Sequence, residues 1–179
     1  LKWEIYNLLQ KNNNTNLVDE SISVAIVGKI NTGKSTIFNL LSKKAISQTS
    51  EIPFMTRDSV ESDIDIKNIK FKAYDTAGFS KGTESRSKVN QISIEQTLKK
   101  IRLSQVVIIV LDINNYFEKI NSKIIDHVFK ENRCILILVN KIDTKLSLKK
   151  SEIIDHIYYL TPQIKGIPIC FVSATKNSG

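Results

Sequence analysis

Apolar residues fall into two kinds of run along this chain. Ile22 to Val27, Val106 to Leu111 and Ile135 to Val139 are nearly continuous, the pattern of strands covered on both faces of a sheet. Val60, Ser62, Ile64 and Ile66 instead alternate with Glu61, Asp63 and Asp65, which predicts a half-buried strand with one wet face. Lys67-Asn68 is a two-residue turn signal leading into a returning strand, Ile69 to Asp75. That hairpin sets Asp65 opposite Lys70, Asp63 opposite Lys72, Ile66 opposite Ile69 and Ile64 opposite Phe71. Each such pair is worth about 0.2–1 kcal/mol, the exposed ion pairs at the low end.

Between the strands, helical spacing predicts helices over Thr36–Leu41, Ile92–Arg102, Lys123–Lys130 and Ser151–Leu160, and a last strand covers Ile167–Val172. Lys43 to Asp58 contains Pro53 and has no clean period, so it reads as a loop. Helices alternating with doubly covered strands specify an α/β fold: a mostly parallel six-stranded sheet, helices on both faces, and one antiparallel edge strand from the hairpin.

The 179 residues suit a single such domain. Ile5, Leu8 and Leu9 with Trp3 and Tyr6 form a short amphipathic stretch, followed by the polar run Asn12-Asn13-Asn14-Thr15-Asn16. Residues 1–17 are therefore expected to be the tail of a preceding domain and a linker, and 18–179 the domain proper. Ser178-Gly179 falls where a closing helix should begin, so part of one sheet face is expected to lack cover.

Composition adds less. The formal charge of +8 invites a nucleic-acid reading. Lysine far outnumbers arginine, however, and isoleucine and asparagine abound, a mixture that an AT-rich coding sequence yields unaided. Arginine is also the better fork for phosphates, so basicity alone does not specify an RNA partner. Cys134 and Cys170 border or enter apolar runs and are expected to be reduced core residues. His127 and His156 lack carboxylate or cysteine partners at catalytic spacing and are expected at the surface or its boundary. Lys43-Lys44, Lys99-Lys100-x-Arg102 and Lys149-Lys150 read as solvated helix ends. The apolar runs are too short to span a bilayer and no signal sequence opens the chain, so a cytoplasmic protein without a membrane partner is expected.

Candidate chemistry sits at the strand ends. Gly28-Lys29-Ile30-Asn31-Thr32-Gly33-Lys34-Ser35, between strand and helix, has Walker A spacing, in which backbone N–H groups and a helix N-terminus face the phosphates of a nucleotide. Gly28 and Gly33 stand where a Cβ would block approach or forbid the backbone angle. Lys34 would reach the β- and γ-phosphates and the Ser35 hydroxyl would hold Mg²⁺. Asp75-Thr76-Ala77-Gly78 closes the third strand: its carboxylate suits the Mg²⁺ site, and Gly78 lets a backbone N–H approach a γ-phosphate. Asn140-Lys141-Ile142-Asp143 ends the Ile135–Val139 strand, and an aspartate there can accept from both N1–H and the exocyclic amine of guanine, a donor pair that adenine lacks. Ser173-Ala174-Thr175 follows the last strand and offers a backbone N–H to guanine O6.

Together these motifs resemble the translation-factor-like small GTPases of the P-loop NTPase class. Val24 to Leu41 resembles the V-A-I-V-G-x-x-N-x-G-K-S-T-x-x-N-x-L of the Era, MnmE and Der (EngA) branch. Ser50-Glu51-Ile52-Pro53-Phe54-Met55-Thr56-Arg57-Asp58 resembles the S-x-I-P-G-T-T-R-D of the Der family, and Ser93 to Val107 resembles a stretch of that family's second GTPase domain. The resemblance implies GTP hydrolysis to GDP and phosphate, coupled to maturation of the large ribosomal subunit. It implies rRNA and the subunit precursor as partners of the full-length protein, and neighbouring GTPase and KH-like domains.

By the same resemblance Thr56 closes on Mg²⁺ and the γ-phosphate, and Asn31 coordinates a potassium ion beside the phosphates. Thr32, Gly33, Lys34, Ser35 and Thr36 complete the phosphate site. Phe79 stands where Ras-type enzymes carry a water-orienting glutamine, which implies slow intrinsic turnover. Phe54-Met55 replaces Gly-Thr in the first switch, and Ser80 to Lys88 is less basic than the family's second switch. Two other functions share these residues: a catalytically weak guanine-nucleotide module that sets the geometry of neighbouring domains, and the G domain of a tRNA-modifying MnmE-like GTPase.

Overall fold

The computed structural model describes residues 21–46, 61–66, 69–76, 88–145 and 149–179. Along these run β1 (Ile22–Gly28), α1 (Lys34–Ile46), β2 (Glu61–Ile66), β3 (Ile69–Asp75), α2 (Lys88–Leu103), β4 (Val106–Asp112), α3 (Lys119–Lys130), β5 (Cys134–Asn140), α4 (Lys150–Leu160) and β6 (Ile169–Phe171). The six strands lie in one sheet in the order β2-β3-β1-β4-β5-β6. All neighbours are parallel except β2 and β3, which form the antiparallel edge.

The doubly covered strands explain the continuous apolar runs. In β1, β4 and β5 successive side chains enter two separate cores. Val24, Ile26, Ile108, Val110, Leu136 and Leu138 face α1, which contributes Ile37, Phe38 and Leu41. Ala25, Val27, Val107, Ile109, Ile137 and Val139 face the other way, toward Ile101 of α2, Ile124 and Val128 of α3, and Ile153 and Ile157 of α4. The hairpin has the anticipated register, with Asp63 opposite Lys72, Ile64 opposite Phe71, Asp65 opposite Lys70 and Ile66 opposite Ile69. Ile64 and Phe71 are buried while Asp63 and Lys70 are exposed, so the alternation sorts its two faces as expected.

Three expectations need correction. Lys43 to Ile46 continue α1 rather than opening a loop; lysine and alanine are good helix formers and Pro53 lies too far on to stop them. The last strand is shorter than Ile167–Val172 and covers only Ile169–Phe171. Cys134 is exposed and Cys170 half-buried, because the first opens β5 at the sheet margin and the second lies on the edge strand β6. On the face covered by α1, the one helix on that side among the described residues, Val106, Ile108, Leu136 and Leu138 of β4 and β5 are buried. His127 is half-buried and His156 exposed, as expected. Among the described residues no helix is long and apolar enough to cross a membrane.

Candidate functional site

The C-terminal ends of β1, β3, β4 and β5 meet on one rim of the sheet, where open α/β sheets bind ligands. From β1 the chain turns at Gly28 and enters α1 at Lys34. Neither flanking glycine tolerates a side chain. A Cβ on Gly28 would lie 2.4 Å from the Val110 carbonyl oxygen, and one on Gly33 2.3 Å from the Asn140 amide nitrogen. Gly33 also has φ +94, a region that L side chains rarely adopt. The loop is wound around one carbonyl: Lys29 O accepts the Thr32 hydroxyl at 2.9 Å and the Lys34 ammonium at 3.0 Å. Lys34 is buried at 6% exposure. Burial holds its ammonium below the usual lysine range, with the Asp75 carboxylate opposing that shift. Ser35 and Thr36 lie exposed at the start of α1, where helix N–H groups face outward.

Asp75 ends β3 beside Ile26 of β1, and Thr76 anchors that end by donating its hydroxyl to Ile26 O at 2.7 Å. One Asp75 oxygen, Oδ1, is buried without a hydrogen-bond partner. An orphaned carboxylate oxygen near a buried ammonium fits a site for Mg²⁺, which takes one or two protein oxygens and completes its shell with phosphate and water. Among the described residues no cluster of three or more His, Cys, Asp or Glu forms an all-protein metal cage, in keeping with that mode of binding.

A second part of the rim is assembled around Asn140. Its amide, 2% exposed, donates to Thr32 O at 2.9 Å and accepts the Ala174 N–H at 3.0 Å. One side chain therefore joins the phosphate loop to the segment after β6. The Ala174 N–H, one of the donors available for guanine O6, is thus engaged within the chain. Lys141, in the left-handed region at φ 66, turns the chain so that Asp143 follows in a short 3₁₀ turn, Ile142–Thr144. Asp143 is exposed and accepts from the hydroxyls of Ser173 and Thr175. The Ser173 hydrogen bond, ahead of smaller contributions from Thr175 and the charge of Lys176, holds its carboxyl below the usual carboxylate range despite some desolvation. At neutral pH the site therefore presents an ionised acceptor pair, which suits a base edge carrying two adjacent donors.

The sheet brings together Gly28, Asn31, Thr32, Gly33, Lys34, Ser35, Thr36, Asp75, Asn140, Lys141, Asp143, Ser173, Ala174 and Thr175. Thr56 and Gly78 lie outside the described residues. Two carboxylates that sequence reasoning passed over also belong here. Asp112 holds the Lys141 ammonium at 2.7 Å, and Glu118 holds Lys29 of the phosphate loop at 3.0 Å. For Asp112 the signal was available: an acid directly after the apolar run Val106–Leu111 sits at a strand's carboxyl end. Glu118 carried none, because its partner is fixed only by the fold.

A family model described as 50S ribosome-binding GTPase matches residues 23–141. The chain belongs to this family. Among relatives, GTPase Der of Nitrobacter hamburgensis is 36% identical over 165 residues and GTPase Der of Nitrobacter winogradskyi 32% over 160 residues. Each match takes in 88% of this chain but 35% of the relative, so the chain spans about a third of those proteins. Of solved structures, Era in complex with MgGDPNP and a 16S ribosomal RNA segment superposes with TM-score 0.72 at 26% identity, covering 89% of this chain and 53% of Era. A point variant of Aquifex aeolicus Era bound to GDP·AlF4⁻ gives 0.70 at 26% identity, covering 87% and 52%. The G domain of the Thermotoga maritima FeoB iron transporter, at 20% identity and TM-score 0.62 over 89% of this chain and 92% of its own, shares the fold. The chain is a GTPase domain, and guanine nucleotide, with Mg²⁺ as its usual companion, is the family's ligand.

Proposed function

We propose that this domain binds GTP at the rim built by residues 28–36 and 140–143 and hydrolyses it to GDP and phosphate, as the switch of a protein that acts in assembly of the large ribosomal subunit. The observation that supports this reading best is the Asn140 bridge, which ties the phosphate loop and the Ser173-Ala174-Thr175 segment to the strand end that carries Asp143. A carboxylate kept ionised after β5 and a buried ammonium in the phosphate loop, joined through Asn140, suit a molecule with a two-donor base edge at one end and phosphates at the other.

In this reading Asp143 accepts from N1–H and the exocyclic amine of guanine. The Lys34 ammonium exchanges the Lys29 carbonyl for phosphate oxygens, whose negative charge opposes the lowering of its pKa by burial. Thr32, Gly33, Ser35 and Thr36 offer backbone N–H groups to the phosphates. Mg²⁺, held by Ser35, Thr56 and Asp75, would neutralise charge on the β- and γ-phosphates when bound. Gly78 would offer its N–H to the γ-phosphate, and water would attack the γ-phosphorus as the bond to the GDP leaving group breaks. Asn31 would hold a potassium ion, which would add positive charge where charge develops in the transition state. Residues 1–17 are a tail and linker of a preceding domain and 18–179 the GTPase domain. Ribosomal RNA and the subunit precursor are met through the longer protein, in the cytoplasm.

Single-turnover and steady-state GTP hydrolysis in potassium and in sodium, beside Asn31→Ala, tests the proposal. A potassium-dependent rate that the variant loses supports both the catalysis and the role of Asn31. Tight guanine-nucleotide binding with no turnover in either salt would overturn the catalytic part and leave a binding module.

A further inference from the structure

Lys141 carries more of the site's internal geometry than its place in the base-recognising motif requires. Its ammonium lies 2.6 Å from the Asn31 carbonyl oxygen of the phosphate loop and 2.7 Å from Asp112 Oδ2. Both backbones it connects are in the left-handed region, Asn31 at φ 65 and Lys141 at φ 66. Asparagine visits that region readily, whereas lysine there costs roughly 1–2 kcal/mol, so the surroundings must hold it.

Asp112 does the holding from both sides. It is the last residue of β4 and sits opposite Asn140 in the ladder. The Ile113 N–H still donates to Asn140 O at 3.0 Å, so its backbone is fixed by sheet pairing. Oδ2 takes the Lys141 ammonium, and Oδ1 takes the backbone and side-chain N–H of Asn114 at 2.9 and 3.1 Å. The Asn114 amide also donates to the Thr144 hydroxyl at 2.9 Å, and that hydroxyl donates to Lys141 O at 2.8 Å. Asp112 thus fixes the side chain of Lys141 directly and its carbonyl through Asn114 and Thr144. Desolvation works against its ionisation, but the hydrogen bonds and charge of Lys141, with those of Asn114, hold its carboxyl below the usual range, so the clasp is charged at neutral pH.

We propose that Asp112 is a positioning residue of the nucleotide site: it keeps the Lys141 ammonium on the Asn31 carbonyl and thereby locks the phosphate loop to the strand end that recognises the base. The inference rests on the guanine-nucleotide reading above. It adds a residue that touches no nucleotide and acts through Lys141 alone. Because the clasp lies on the base side of the loop, its loss weakens the hold on GDP and on GTP alike.

Stopped-flow release of mant-GDP and of mant-GMPPNP from the full chain tests this, with wild type, Asp112→Asn, Asp112→Glu, Lys141→Met and the Asp112→Asn/Lys141→Met double variant. Asp112→Asn should release both nucleotides about 10-fold faster, as expected for losing a charge-assisted hydrogen bond, and should raise KM for GTP more than it lowers kcat. Asp112→Glu should recover part of the loss. In the Lys141→Met background Asp112→Asn should change release less than about 2-fold. An equal acceleration in both backgrounds would show that Asp112 only braces the turn through Asn114 and would overturn the clasp, as would an effect confined to mant-GMPPNP. If Asp112→Asn does not fold, Asp112→Glu compared across the two Lys141 backgrounds decides by the same criterion. Wild type unable to bind mant-GDP would remove the reading of the site, and the clasp with it.

Discussion

Replacing Asn140 by alanine should destabilise the nucleotide-free chain by about 2–6 kcal/mol. The side chain is buried, and both ends of its amide are used, on Thr32 O at 2.9 Å and on the Ala174 N–H at 3.0 Å. Truncation leaves a carbonyl and an N–H without partners, in residues that are themselves buried. Each orphaned group costs about 1–3 kcal/mol, and a water entering the vacated space would move the total toward the lower bound. With a urea slope of about 2 kcal/mol per molar, the unfolding midpoint falls by about 1–3 M. Urea titration followed by circular dichroism measures this, with Asn39→Ala as control; Asn39 is exposed on α1, and its change should stay within the helix-propensity difference of about 0.7 kcal/mol. A loss below about 1 kcal/mol for Asn140→Ala would mean that the phosphate loop and the segment after β6 hold their geometry without this residue, and the account of the bridge would fail.

Three further outcomes follow from the geometry. Lys34→Met should lower mant-GTP affinity by roughly 100-fold, as loss of a buried charge partner does, without lowering nucleotide-free stability at neutral pH. Because burial lowers the Lys34 pKa, the folded chain binds fewer protons than the unfolded one between that value and the ordinary lysine value. Wild-type stability therefore gains a rise with pH across that window which Lys34→Met lacks, readable in urea midpoints at alkaline pH. Asp143→Asn should exchange GDP for XDP by at least about 100-fold in relative affinity, since an amide donor meets the carbonyl that xanthine carries in place of the guanine amine; competition against mant-GDP reads it. Ser173→Ala removes the leading cause of the lowered Asp143 pKa. The ionised carboxylate is present above its pKa and lost below it, so on acidification mant-GDP affinity should begin to fall at a higher pH in this variant than in wild type.

Much of the fold was legible because each element's environment is written in its period. The continuous runs at Val106–Leu111 and Ile135–Val139 could only be strands covered twice, and the alternation of Val60–Ile66 fixed both the hairpin register and its wet face. Boundaries were less legible. The start of α3 at Lys119 rather than Lys123 includes Lys119 and Asn121, whose polarity hides the helical spacing; Asn121 is in fact buried, its amide donating to the carbonyls of Asn115 and Tyr116. Cys134 misled for a related reason, since an apolar neighbour in sequence says nothing about lying at a sheet margin. At the site the glycines were correctly singled out for an incomplete reason. Approach of a ligand or a forbidden backbone angle was the expectation; Gly33 does have φ +94, and the structure adds contacts within the protein, Gly33 against the Asn140 amide and Gly28 against the Val110 carbonyl.

Those contacts bear on how the site divides its work. Among the described residues the phosphate loop is tied to the sheet rim at three places, by Asn140 on Thr32 O, by Lys141 on Asn31 O, and by Glu118 on the Lys29 ammonium. These ties end on the last residue of β5, on the residue after it and on the connection after β4. On the proposed reading, base recognition and the cradle for the first phosphates are joined within the chain before any ligand binds, and a unit assembled beforehand binds with a smaller ordering cost. What separates GTP from GDP must then come from residues that meet the γ-phosphate, Lys34 among the described ones and Thr56 and Gly78 beyond them. On this division Thr56→Ala should leave mant-GDP release within about 2-fold of wild type while slowing GTP turnover. A large acceleration of GDP release by Thr56→Ala would instead mean that the rim is not self-sufficient and that the first switch helps to hold the base half in place.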